Sequence, residues 1–306
     1  MDYPRITRNI SELIGNTPMI RINKLTGPDD APVFAKLEMF NVGGSVKDRA
    51  ALSLIEIAEA SGILTKDKTI LEATSGNTGI ALAMIGAYKG YKVTIIMSES
   101  ASMERRKIIK AYGAELLLTP GEKGTAGAIE LKEKLVAENP GKYVPMDQFS
   151  NPANIFAHYT GTANEIIRQM DGKIDMVVMT VGTGGTSSGI ALRMKEFNSG
   201  IRIVGVTPAL GVKIQGIRNP KEPNPSRLVR LDYFDEFIEL DENMKKASFE
   251  TGRKAASSEG LLLGQSSACA LHIALQKAKE MGPGKNIVVI FPDNGFKYLS
   301  TDLFET

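Results

Sequence analysis

A chain of 306 residues is long enough for two lobes, or for one large α/β unit, around a sizeable core. Its 42% hydrophobic and 24% charged content is ordinary for a soluble globular protein. The formal net charge of +2, with both signs interspersed, leaves no basic footprint for nucleic acid. Cys269 is the only cysteine, so no intrachain disulfide is possible and a reducing compartment fits; His158 and His272 lie too far apart in sequence to make a histidine-rich metal site. No apolar run reaches membrane-spanning length and Met1-Asp-Tyr-Pro-Arg5 lacks a signal-peptide pattern, so the expected location is cytoplasmic.

In chain order, residues 10–22 read as a short helix, a Gly15-Asn-Thr-Pro18 turn and a strand, and residues 32–38 as a second strand. Asn41-Val-Gly-Gly-Ser-Val-Lys-Asp-Arg49 follows and opens an amphipathic helix from Asp48 to about Ser61. Lys47 therefore stands at or near a helix N-terminus. The positive end of the helix dipole disfavours a cation there and pushes an amine toward its neutral form, which can attack a carbonyl. Taken alone, the stretch reads more simply as a surface lysine in a loop. Residues 69–73 form a buried strand, Thr74-Ser-Gly-Asn-Thr-Gly79 a loop, and residues 80–88 a helix. Strands at 91–97, 114–119 and 143–146 alternate with helices at 103–112 and 126–138. A second series begins with a helix over 151–170, a strand over 176–181, Gly182-Thr-Gly-Gly-Thr186 and a helix over 188–197. It continues with a strand at 201–206, a loop over 207–230, a strand at 236–240, helices over 242–258 and 268–281, and a strand at 286–291. This alternation predicts an α/β protein of two lobes, with mostly parallel twisted sheets, helices on both faces and a ligand crevice at the carboxyl ends of the strands.

Gly182-Thr-Gly-Gly-Thr-Ser-Ser-Gly189 links a buried strand to a helix, so its backbone N–H groups and the helix N-terminus make a cup for phosphate; a tight structural turn is the plainer alternative. It is not a P-loop. Ser187 at the third glycine position and Thr207 at the end of the next strand also speak against a dinucleotide fingerprint. The 74–79 loop, with its hydroxyls and amides, suits a substrate carboxylate, although by itself it reads better as a helix N-cap formed by Thr74, Ser75 or Asn77. Gln148 alone is a loop amide, and Ser266-Ser267 alone an N-cap. Together these pieces supply a lysine, two anion cradles and a hydroxyl before a helix, the parts an aldehyde cofactor with a phosphate tail requires.

At these motifs the chain resembles the cysteine synthases (O-acetylserine sulfhydrylases) of the fold-type II pyridoxal-phosphate enzymes, over nearly its whole length. The resemblance rests on Gly15-Asn-Thr-Pro18, Gly43-Gly-Ser-Val-Lys-Asp-Arg49, Thr74-Ser-Gly-Asn-Thr-Gly79, Gln148-Phe-Ser-Asn-Pro-Ala-Asn154, Gly182-Thr-Gly-Gly-Thr186 and Tyr298-Leu-Ser-Thr301. It implies a larger cofactor-phosphate domain of residues 1–39 with 149–306, and a smaller mobile substrate-binding domain of residues 40–148. It implies that Lys47 carries pyridoxal 5'-phosphate as a Schiff base and later moves the Cα proton, and that Asn77 bonds the ring 3′-oxygen. Gly182, Thr183, Gly184, Gly185 and Thr186 would hold the phosphate, Ser266 would face the pyridine nitrogen, and Thr74, Ser75, Thr78 and Gln148 would grip the substrate α-carboxylate. The implied reaction is conversion of O-acetyl-L-serine and sulfide to L-cysteine and acetate through an aminoacrylate, in a homodimer that can accept the C-terminal tail of a serine acetyltransferase.

Three departures bear on the substrate. Gly264-Gln-Ser-Ser-Ala268 replaces the usual Gly-Ile-Ser-Ser-Gly, the last strand ends in Pro292-Asp-Asn-Gly295, and the 207–230 loop, with Arg218, is closer to the B-type enzymes. Arg218 would suit a phosphate leaving group and hence O-phosphoserine as donor, against an ordinary salt-bridged arginine. Asp232, if it pointed inward, would activate water or a thiol, with L-cysteine as donor, hydrogen sulfide released, and serine, lanthionine or cystathionine formed; a surface charge beside Arg230 is the simpler reading.

Overall fold

In the computed structural model, which describes residues 6–222 and 225–305, ten strands form two sheets among those residues. The strands are β1 (Met19–Ile22), β2 (Val33–Leu37), β3 (Thr69–Ala73), β4 (Lys92–Ser98), β5 (Glu115–Thr119), β6 (Tyr143–Pro145), β7 (Met176–Thr180), β8 (Arg202–Pro208), β9 (Glu236–Leu240) and β10 (Ile287–Phe291). One sheet has the order β1-β2-β10-β7-β8-β9 and the other β5-β4-β3-β6. All neighbours run parallel except β1, which pairs antiparallel with β2 at one edge.

The helices are α1 (Lys47–Ala60), α2 (Asn77–Lys89), α3 (Met103–Ala111), α4 (Gly124–Glu138), α5 (Ala153–Ala157), α6 (Ala163–Gln169), α7 (Gly185–Phe197), α8 (Glu242–Lys254) and α9 (Gln265–Met281). β3, β7 and β10 are buried at every position, because helices cover both faces of each sheet. That explains their near-continuous Val, Ile, Leu and Met content. The first sheet is packed on two sides by separate apolar clusters, one around α9 and one around α7; the second has its main cluster against α1 and α2.

Three helices begin about one turn earlier than their apolar runs. α2 starts at Asn77, α7 at Gly185 and α9 at Gln265, so glycines and hydroxyl residues that read as loop form the first helical turn. Apolar periodicity marks only the turns that pack against a core, and these first turns face a cleft instead. The expected N-caps are corrected accordingly. Gly76 caps α2 and Gly264 caps α9, each with extended backbone and no side-chain bond, while Asn77, Ser266 and Ser267 lie inside their helices. The 151–170 helix is broken into α5 and α6 by a π-turn over His158–Thr162, and α8 gives way to a second π-turn over Ala255–Glu259.

A buried ionic knot ties α1 to the first sheet. Arg49 donates Nη1 and Nη2 to the two carboxylate oxygens of Glu165 on α6, at 2.6 and 2.7 Å, and Nε and Nη2 to Glu38 just after β2, at 2.7 and 2.9 Å. Lys36 of β2 joins Glu165 at 2.7 Å, and Thr17 donates its hydroxyl to Glu38 at 2.7 Å. No helix among the described residues is long and apolar enough to cross a membrane.

Candidate functional site

A cavity of about 810 Å³ opens between the two sheets, at the carboxyl ends of β3, β7 and β10. Of the residues singled out from sequence, Lys47, Thr74, Ser75, Asn77, Thr78, Gln148, Gly182, Thr183, Gly184, Thr186 and Ser266 all line it. Gly185 lies behind the wall and shapes it.

Lys47 is the first residue of α1. Its Nζ has no hydrogen-bond or ion-pair partner among the described residues. Burial drives its amine down from the usual lysine range to about 8, with only the carboxylate of Asp293 opposing the shift. A partnerless amine, part of which is free near neutral pH, is a nucleophile for a carbonyl.

Across the cavity, Gly184 adopts φ +85° and turns the chain from β7 into α7. Side chains are excluded here for two reasons. A Cβ on Gly184 would enter a left-handed backbone and fall 2.7 Å from the Val229 nitrogen, and one on Gly185 would fall 2.0 Å from Asn154 Oδ1. The amide groups of Thr186 and Ser187, in the first turn of α7, have no hydrogen-bond acceptor among the described residues. His158 lies behind them, with Nδ1 against Thr162 Oγ1 at 2.9 Å and Nε2 against Thr186 Oγ1 at 3.1 Å. Burial first, then the charges of Arg49 and Lys47, hold this imidazole neutral. The cup is therefore lined by N–H and O–H groups at a positive helix end, which suits a phosphate.

The 74–79 loop forms the third wall. Gln148 is fixed at both ends of its amide: Thr78 donates its hydroxyl to Oε1 at 2.6 Å, and Nε2 donates to Glu72 at 3.1 Å. Glu72 is an acidic side chain inside the fully buried β3, and burial raises its carboxyl to about 7. The Ser75 side chain is exposed, and Thr74, Thr78 and Gln148 are buried against the cleft. Ser266 sits in the first turn of α9, and its hydroxyl has no protein partner among the described residues.

Asn77 is locked by charged neighbours far from it in sequence, which no local motif reveals. Nδ2 donates to Asp293 Oδ2 at 2.7 Å and Oδ1 accepts from Lys297 Nζ at 2.9 Å, which settles the orientation of the amide. Asp293 also accepts from the Tyr298 hydroxyl at 2.7 Å, while its Oδ1 is buried without a partner. Asp293 could have been anticipated, since it immediately follows Pro292 at the end of a wholly apolar strand, where open α/β sheets place ligands.

Two further expectations have definite outcomes. Asp232 is exposed on the turn Leu231–Tyr233 and is not part of the cavity wall, so it is a surface charge. Arg218 does line the cavity, but its Nε donates to Glu222 at 3.1 Å and its guanidinium lies over the Phe149 ring. Cys269 is buried on α9, and burial lifts its thiol to about 12, so it keeps its proton at neutral pH.

A family model described as pyridoxal-phosphate dependent enzyme matches residues 10–293. A cysteine synthase of Staphylococcus aureus is 42% identical over 308 aligned positions, covering 97% of this chain and 96% of that protein. Among solved structures, cysteine synthase from Entamoeba histolytica superposes with a TM-score of 0.92 at 40% identity, over 100% of this chain and 94% of that one. A hydrogen sulfide-producing enzyme from Fusobacterium nucleatum superposes with a TM-score of 0.90 at 38% identity, over 96% of this chain and 100% of that one.

Proposed function

The chain belongs to the pyridoxal-phosphate dependent enzymes and is of the cysteine synthase type, and from that premise we propose that it catalyses β-replacement on a serine-type amino acid. The acetyl ester of O-acetyl-L-serine leaves the β-carbon and sulfide takes its place, giving L-cysteine and acetate.

The residues present fit pyridoxal phosphate: a partnerless amine, a phosphate cup with unused N–H groups and an unpaired hydroxyl share one cavity. When bound, the cofactor supplies an aldehyde for the amine and a conjugated ring that draws electrons away from the substrate's Cα. Lys47 would hold it and move the Cα proton. The segment Gly182, Thr183, Gly184, Gly185 and Thr186 would hold its phosphate, and Asn77, steadied by Asp293 and Lys297, would face the ring. Ser266, a neutral hydroxyl, would lie opposite the pyridine nitrogen, where it withholds the full charge an acidic partner would induce. Thr74, Ser75, Thr78 and Gln148 would hold the substrate α-carboxylate, with Glu72 fixing which end of the Gln148 amide faces inward.

The observation that carries this reading is the unpaired, buried Lys47 amine in the same cavity as the glycine cup. It also sets a pH dependence. Only the free amine reacts with the aldehyde, and the Lys47 value of about 8 means that lowering pH below that point protonates it. Uptake of pyridoxal phosphate by the apoprotein should slow about tenfold for each unit below this point and level off above it. The growth of visible absorbance after mixing measures that rate, and a flat profile between about pH 6 and 9 would contradict it.

The reading extends to residues 40–148 as the lobe that moves over the substrate, supported by the second sheet being drawn wholly from residues 69–145. The family relation supports a homodimer working in the cytoplasm and able to receive an acetyltransferase tail. A second donor, L-cysteine with release of sulfide, is supported by the likeness to the Fusobacterium nucleatum enzyme; Asp232 does not support it, since that side chain faces solvent. Arg218 as a phosphate site for O-phosphoserine would first have to give up Glu222. The test is a product assay on the holoenzyme, with O-acetylserine plus sulfide in one sample and L-cysteine alone in the other. Fast cysteine formation in the first with little sulfide from the second is the expected result; the reverse would reassign the donor.

A further inference from the structure

The cavity wall contains a buried guanidinium that no carboxylate among the described residues holds in an ion pair. Arg105, in the first turn of α3, is only 4% exposed, yet no carboxylate forms an ion pair with it among the described residues. Its Nη1 donates to the neutral Gln215 Oε1 at 2.7 Å and to Ser102 Oγ at 3.3 Å, and its Nε is buried without an acceptor. The contrast with Arg49, equally buried but held by two carboxylates, is direct.

A buried guanidinium without a counter-ion is costly, and its planar fork matches a carboxylate. Its placement is built rather than incidental. The guanidinium lies 4.9 Å from the centre of the Tyr298 ring, and the hydroxyl of that ring bonds Asp293, the carboxylate that faces Lys47. Its partner Gln215 is in turn fixed by Gln265, which accepts from the Gln215 backbone N–H at 2.8 Å and donates to Thr301 and Asp302. Gln265 stands where the related enzymes usually carry isoleucine, so this support is a feature of the present chain. Lys213, exposed in the same wall, adds positive charge.

The donor's α-carboxylate and the cofactor's phosphate already have their own cradles, and sulfide carries no carboxylate. We propose that Arg105 binds the carboxylate of the second reactant, so that thiol acids, amino-acid thiols among them, act as acceptors alongside sulfide. This deepens the β-replacement reading and rests on it. The thiol sulfur bonds to the donor's β-carbon, the bond from that carbon to the acetyl oxygen breaks, and the electron pair leaves with acetate. The thiol proton goes to solvent, the product is a thioether, and no oxidant or reductant is needed.

The test uses the holoenzyme with O-acetylserine as donor and compares 3-mercaptopropionate with its neutral analogue 3-mercaptopropanol, reading thioether by mass spectrometry. The wild type should favour the acid by about tenfold or more in kcat/KM, as expected for a charge-assisted hydrogen bond. In Arg105→Met that ratio should fall toward one, mainly through KM, and Arg105→Lys should restore part of it. A purely structural role would depress both thiols together and leave the ratio intact, which would overturn the proposal. So would a ratio that holds while KM for O-acetylserine with sulfide rises, since the carboxylate at Arg105 would then be the departing acetate. No turnover with sulfide or either thiol would overturn the β-replacement reading itself, and the acceptor assignment with it.

Discussion

Lys47→Ala should lower kcat by about a thousandfold or more while leaving the protein folded and able to take up cofactor. The size follows from the two duties given to one amine, nucleophile and proton carrier, each of which is worth orders of magnitude when removed. Retention follows from the geometry. The phosphate cup at the start of α7 and the Asn77–Asp293–Lys297 group owe nothing to the Lys47 side chain, so pyridoxal phosphate should still bind, but without a covalent bond. Borohydride treatment followed by peptide mass analysis separates the two states. The wild type should carry the cofactor on the peptide containing residue 47, and the variant on none. A variant with more than about a tenth of wild-type turnover would remove Lys47 from the chemistry.

Arg49→Met should be the most damaging change to stability, at about 3–5 kcal/mol, because it strands two carboxylates in the interior instead of removing an ion pair cleanly. Glu38 would keep only Thr17 and the amide of Asn41, and Glu165 would keep Lys36 and the amide of Asn16. The pH dependence provides a check. Burial alone would raise the Glu165 carboxyl, but the hydrogen bonds and charge of Arg49, then those of Lys36, outweigh it and hold the group at about 2, against 4.5 ordinarily. A depressed carboxyl contributes stability that is complete above the ordinary value and is lost as pH falls through the folded one. The gap between wild type and Arg49→Met should therefore narrow as pH drops below about 4.5. Urea unfolding at several pH values measures it, and a gap below about 1 kcal/mol at neutral pH would show that the knot relaxes around the loss.

How far the sequence could be read depended on whether a feature is local. The lysine loop before α1, the hydroxyl loop before α2 and the glycine turn before α7 are each contained in a few consecutive residues, and a strand–loop–helix context is enough to expose their chemistry. The partners that orient them are not local. Asp293 and Lys297 reach Asn77 across more than two hundred positions, and Glu165 reaches Arg49 across more than one hundred. Charged residues such as Glu72 and Arg105 also look solvent-facing by composition, and only the fold shows that both are buried. Gln265 was visible as a departure from the usual motif, but its meaning required the position of Gln215 fifty residues away. The starts of α2, α7 and α9 are hidden in the sequence for the same reason that makes them useful, since a first turn that faces a cleft carries no apolar signature.

The place of β10 in its sheet has a consequence for how the protein is made. β10 lies between β2 and β7, near the middle of the six-stranded sheet, yet it leaves the ribosome after every other strand. Until it emerges, β2 and β7 present unpaired edges that invite wrong partners, whereas the β5-β4-β3-β6 sheet is contiguous in the chain and can assemble during synthesis. Asp293, Lys297 and Tyr298 follow directly on β10. Until β10 is made, the nascent chain therefore carries unpaired strand edges and an incomplete pocket, and closing that sheet and readying the pocket for cofactor are one late event.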